Sequence, residues 1–173
     1  YMFGIGATEM AGVLATGEIW IKVPETILMS WRNQLSAYVT AKDMMLAMCR
    51  KIGMGGGRYQ AIQYAGQTIQ ALSMQERMTL SNMAAELGAQ AGLIAPDEAT
   101  VAFVQAAGGT VPANWRDFQI EAAESAENVM QFDAASLEPQ IAAPHSPENA
   151  DAADAFRNIS FDVAYIGACT GAK

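Results

Sequence analysis

SMQERMTLSNMAAELGAQAGLIAPDEATVAFVQAAG, residues 73–108, is the stretch whose grammar decides the fold. Ser73 and Glu76 stand three positions apart, the spacing at which a hydroxyl and a carboxylate can satisfy orphan backbone donors at the start of a helix. Met78, Leu80, Met83, Ala84 and Leu87 then recur at helical spacing as far as Gly88, a residue suited to a left-handed stop. The charge-free run 91–95 predicts a strand covered on both faces. Pro96 and Asp97 open another helix, carried by Ala99, Val101, Ala102, Val104 and Gln105 to Gly108. Helix, buried strand and helix in that order predict an α/β layered domain with a mixed or parallel sheet flanked by helices.

Working upstream, Thr40 and Asp43 repeat the capping spacing ahead of Met44, Met45, Leu46 and Met48, so a helix is predicted over 41–52, closed by Gly53. The glycine-rich run 53–57 reads as a plain connector. It lacks the Lys-Ser/Thr ending of a phosphate loop and follows a helix instead of a strand. Residues 59–64 predict a strand and 68–72 a short helix. Nearer the start, 18–23 predicts a strand ended by Pro24.

Downstream, 109–127 is weakly patterned and 129–133 predicts a strand. Pro139, Pro144 and Pro147 among Asn, Asp and Ser mark a linker, with a domain boundary within 142–153. A short helix near 150–157 and a last buried strand over 161–166 are expected, the latter running into Gly167-Ala168-Cys169-Thr170-Gly171. The chain thus divides into the end of a preceding domain (1–24), a central α/β domain (25–145), and a linker with the first strand of the next domain (146–173). It begins at Tyr1 without a Met and stops at Lys173 just after a strand pattern, from which truncated ends are expected.

A hydrophobic fraction of 51% supports a packed core, and a formal net charge of −8 without a basic patch argues against a nucleic-acid partner. The longest apolar runs fall far short of the roughly 20 residues that span a bilayer, so no membrane partner is expected. Two cysteines are too few for a disulfide scaffold, which makes a reducing cytoplasm the default compartment. His145, the single histidine, stands between prolines, and neither a nucleophilic triad nor a zinc site assembles around it.

Two places could carry chemistry. Cys169 is predicted beyond the carboxyl end of a strand, where α/β proteins place ligands, between glycines that admit a bulky group. A buried cysteine acting as a small hydrophobe fits the same position. Asn82 and Glu86, four apart on the capped helix, are expected to point the same way, as an ordinary exposed helix surface would also have it.

Three stretches taken together resemble the aconitase superfamily, most of all the large subunits of isopropylmalate dehydratase. They are Gly4-Ile5-Gly6 through Ile19-Trp20-Ile21-Lys22-Val23-Pro24-Glu25-Thr26, Met78 through Glu86 on to Gly92-Leu93-Ile94-Ala95-Pro96-Asp97-Glu98, and Ile166-Gly167-Ala168-Cys169-Thr170. The resemblance implies a lyase that reversibly dehydrates a hydroxy di- or tricarboxylic acid, isopropylmalate above all. It further implies that Cys169 is one of three thiolates on a 4Fe-4S cluster, that Asn82 lies beside the cluster, and that Glu86 orients the substrate hydroxyl or iron-bound water. A separate small subunit is the implied partner. Ala168 and Gly171 depart from the Ser and Asn usual in the family, and its C-x-x-C pair and upstream histidine elements do not occur in the 173 residues. One thiolate cannot hold four irons, so this piece is expected to be metal-free and inactive alone. Homoaconitase, dimethylmalate dehydratase or a non-catalytic binding domain of the same descent remain alternatives.

Overall fold

The sheet is built from four parallel strands, two of which bury three or more successive residues. In the computed structural model, which describes residues 2–3, 5–118, 128–165 and 167, they are β2 (Thr26–Arg32), β3 (Ala61–Ala65), β4 (Ala91–Ile94) and β5 (Asn128–Asp133). A short β1 (Met2–Phe3) adds antiparallel to β4, giving the order β1-β4-β3-β2-β5. The α/β layered reading with a largely parallel sheet therefore holds.

Helix α2 (Ala41–Ile52) forms where the capping box was expected: the Thr40 N–H donates to Asp43 Oδ2 at 2.8 Å. Its Met44, Met45, Met48 and Cys49 are wholly buried and meet Met29, Trp31, Ile62 and Tyr64 from the sheet in one core cluster. Burying apolar surface at roughly 25 cal/mol per Å² makes this seam the main hold between helix and sheet. The short α3 (Gln67–Ala71) and then α4 (Met74–Asn82), begun by the reciprocal Ser73–Glu76 cap, cross back to β4, and Leu80 closes the same core. Helix α5 (Glu98–Ala106) starts at Asp97, whose Oδ1 accepts from the Thr100 N–H at 3.0 Å.

At the amino end the expectations need correcting. Residues 18–23 form no strand, whereas Ala7–Thr16 forms a helix, α1, that buries none of its residues. The β-branched and aromatic residues of 18–23 carry strand propensity, but no neighbouring strand pairs with them, and Trp20 and Val23 are 87% and 88% exposed. The strand instead begins past Pro24, at Thr26. Its three successive buried residues, Ile27, Leu28 and Met29, hide the alternation that would have flagged it.

At the carboxyl end, residues 140–157 are better packed than a linker. The hairpin of β6 (Gln140–Ala142) and β7 (Ala150–Ala152) pairs across residue 145 and lies on α2. Asp43 Oδ1 accepts from the Gln140 N–H at 2.7 Å, and Arg50 pairs with Asp151. The Asn and Ser that read as linker residues instead tie the hairpin turn, Asn149 donating to the Pro144 carbonyl and Ser146 accepting from the Glu148 N–H. The helix expected near 150–157 is β7 followed by a single 3-10 turn, Ala153–Phe156. Residues 161–165 form no buried strand, and Phe161, Val163 and Tyr165 are exposed. Ile166, Ala168 and Cys169 to Lys173 lie outside the described residues.

Candidate functional site

Asn82 is the last residue of α4, and residues Met83–Leu87 tighten into a 3-10 turn before Gly88 stops the element at φ 72°. Four residues subtend about 40° on an α-helix but about 120° on a 3-10 helix. Asn82 and Glu86 consequently do not stack on one face as a continuous helix would place them. Asn82 is half-buried at the helix end, whereas Glu86 is turned far enough inward that its Oε2 is sealed from solvent and, among the described residues, has no hydrogen-bond partner.

The negative charge of Glu86 is felt by two buried groups. Burial first, and Glu86 second, push the Cys49 thiol up from 9.0 to about 11, with a smaller push from Glu148. Tyr64 is likewise held in its neutral form by burial, then by Cys49 and Glu86. Its hydroxyl lies 3.5 Å from the Met45 sulfur. Cys49 is therefore a protonated core thiol at neutral pH, unsuited in that state to act as a thiolate ligand.

Glycines set this turn in place. The Gly57 N–H donates to the Leu87 carbonyl at 2.7 Å, and the Tyr59 N–H to the Gly88 carbonyl at 2.9 Å, lacing the 53–60 loop to the turn that carries Glu86. A Cβ on Gly57 would stand 2.7 Å from the Ala89 nitrogen. On the other side, a Cβ on Gly92 would meet Ser81 Cα and its carbonyl oxygen, each at 2.7 Å, so the glycine lets the helix end bearing Asn82 lie close on β4. The loop that reads as a plain connector is thus a brace. The signal available in the sequence was the density of glycine itself.

Where an iron-sulfur cluster is concerned, the described residues fit one edge of such a site and no more. Glu86 offers an orphaned carboxylate oxygen, but no group of three or more His, Cys, Asp or Glu capable of holding a metal occurs among the described residues. Cys169, the thiolate implied by resemblance, lies outside them, so no distance relates it to Asn82 or Glu86.

The chain belongs to the aconitase family (aconitate hydratase), whose pattern matches residues 2–155. It is similar to the 3-isopropylmalate dehydratase large subunit of Moorella thermoacetica, 38% identical over 170 residues that make up 98% of this chain and 40% of the relative. That of Halothermothrix orenii is 39% identical over 170 residues, again 98% of this chain and 40% of the relative. The "3-isopropylmalate dehydratase large subunit 1" of Pyrococcus furiosus is 37% identical over 172 residues, with the same shares. The chain thus spans about 40% of the length of these relatives.

Proposed function

We propose that the protein containing this chain is a hydro-lyase that removes and re-adds water on a hydroxy di- or tricarboxylic acid, with isopropylmalate as the substrate to try first. The observation that supports it most directly is the half-buried Glu86 with its unpartnered oxygen, in a chain of the aconitase family. A carboxylate oxygen sealed from solvent without a partner is costly to keep and well suited to accept a hydrogen bond from a substrate hydroxyl or a water. In this reading Glu86 holds and orients that hydroxyl through Oε2, and Asn82 borders the same site from the helix end. Rigid placement matters because a small error in aim costs much of the rate.

Cys169 is proposed as one thiolate of a 4Fe-4S cluster whose other ligands come from beyond these residues. When bound, the cluster supplies Lewis-acid activation of the leaving hydroxyl. The names of the relatives support a small subunit as partner. Among the described residues no helix is long and apolar enough to cross a membrane, and a reducing cytoplasm is the compartment we propose. The test is turnover of 3-isopropylmalate by the intact protein and its Glu86→Gln and Cys169→Ser variants. Loss of the visible cluster absorbance in Cys169→Ser, with turnover lost in both, is expected; undiminished turnover in Glu86→Gln would end the role given to that carboxylate.

A further inference from the structure

Beyond the carboxyl ends of β3 and β4, two cavities adjoin and share Gln63, Ile94, Ala95 and Pro96 in their walls. The larger, about 290 Å³, reaches under α5 and is lined by Leu93, Val101, Val104, Val111, Trp115 and Phe118. The smaller, about 250 Å³, is bounded by Gly66, Gln70, Arg77 and Asp97. Carboxyl ends of parallel strands are where α/β proteins collect ligands. The turn carrying Glu86 is elsewhere, leading into the amino end of β4.

Between the two lobes stands Gln63. It sits within β3, is 5% exposed, and is a polar side chain in the wall of both lobes. A buried strand position favours an apolar side chain, and an amide there is stabilised only when something pairs with it. Both cavities open onto it, so a ligand occupying them can supply that pair.

The smaller lobe sets the charge of the ligand. Arg77, 3% exposed, is already engaged: one terminal nitrogen pairs with Asp97 at 2.7 Å, Nε donates to the Leu72 carbonyl at 3.1 Å, and the other terminal nitrogen donates to the Gln70 carbonyl at 2.8 Å. With its charge compensated by Asp97, Arg77 offers no surplus positive charge to a carboxylate. We propose that this cleft is a small-molecule site for an uncharged ligand with an aromatic or branched aliphatic body and one carboxamide or carbonyl group. The body fills the lobe beside Trp115 and Phe118, and the polar group pairs with the Gln63 amide. The site is independent of the hydro-lyase reading and of the acids that reading would bind.

Calorimetric titration of the intact protein with benzamide, benzoate and toluene tests it. Benzamide is expected to bind at one site, and benzoate about tenfold more weakly or worse, because its charge finds no compensation. Val104→Trp, at a half-buried position on α5, fills the apolar lobe and should abolish binding of both benzamide and toluene. Gln63→Leu should weaken benzamide by about tenfold while leaving toluene unchanged. Absence of benzamide binding to the unaltered protein at millimolar concentration overturns the proposal, as does benzoate binding as tightly as benzamide. Those two arms need no variant, so a misfolded substitution cannot rescue or hide the idea. Binding undisturbed in a folded Val104→Trp protein would place the ligand elsewhere and overturn it equally.

Discussion

Replacing Glu86 with methionine should make the chain more stable while removing its usefulness to a hydro-lyase. Oε2 of Glu86 is sealed from solvent without a hydrogen-bond partner among the described residues, and its charge lies within reach of the Cys49 thiol and the Tyr64 hydroxyl, both buried. A buried polar group left unpaired costs about 1–3 kcal/mol, and since Glu86 as a whole is only half-buried, about 1 kcal/mol is the gain to expect. Methionine has nearly the same length and no charge, so the turn need not move. For a domain of this size 1 kcal/mol corresponds to roughly 2–4 °C in the melting midpoint. Urea and thermal unfolding followed by circular dichroism give the stability, and turnover of 3-isopropylmalate by the intact protein gives the activity, expected to fall by about 10² or more for a lost positioning or proton-handling group. If Glu86→Met instead destabilises the chain by more than about 1 kcal/mol, the carboxylate has a structural partner and its orphaned state is not the signature of a ligand site.

Gly92→Ala should destabilise by about 1–3 kcal/mol, because the added methyl must push Ser81 and the end of α4 off the sheet; denaturant midpoints check it. Arg77 beside Asp97 holds that carboxyl below its ordinary range, so the pair adds stability above the unfolded carboxyl pKa near 4 and loses it as pH falls through the lower folded value. Arg77→Met should therefore destabilise at pH 7 and flatten the acid limb of the stability profile, as unfolding between about pH 2 and 5 would reveal. Cys49 runs the other way: its raised pKa gives stability that is complete below pH 9 and fades as pH climbs through about 11. Cys49→Ala should remove that alkaline loss, which is on the order of 3 kcal/mol at most, at the cost of a small cavity visible at neutral pH.

Much of this architecture could be read from local chemistry. The caps at Thr40 and Ser73 start helices where the residue spacing says they should, because such a cap is decided by neighbours three positions away. What sequence could not supply was pairing at a distance. Residues 18–23 carry strand residues but no partner strand, and the hairpin over 140–152 is held by Asp43, Arg50 and α2, about a hundred positions back. The candidate site divides along the same line. Asn82 and Glu86 could be singled out by type and spacing, but the switch from α to 3-10 winding between them depends on how Gly57, Gly88 and Gly92 let three backbones meet.

The glycine-rich loop is the shared anchorage of two otherwise separate pieces of chain. Its Met54 N–H donates to Glu148 Oε2 from the hairpin, while Gly57 and Tyr59 hold the carbonyls of Leu87 and Gly88. Deleting or inserting a single residue within 53–57 would therefore misregister both attachments together, as a keystone of the wrong width spreads both sides of an arch. Length at this loop, more than its composition, sets whether Glu86 and the chain arriving from 150 onward keep a common frame.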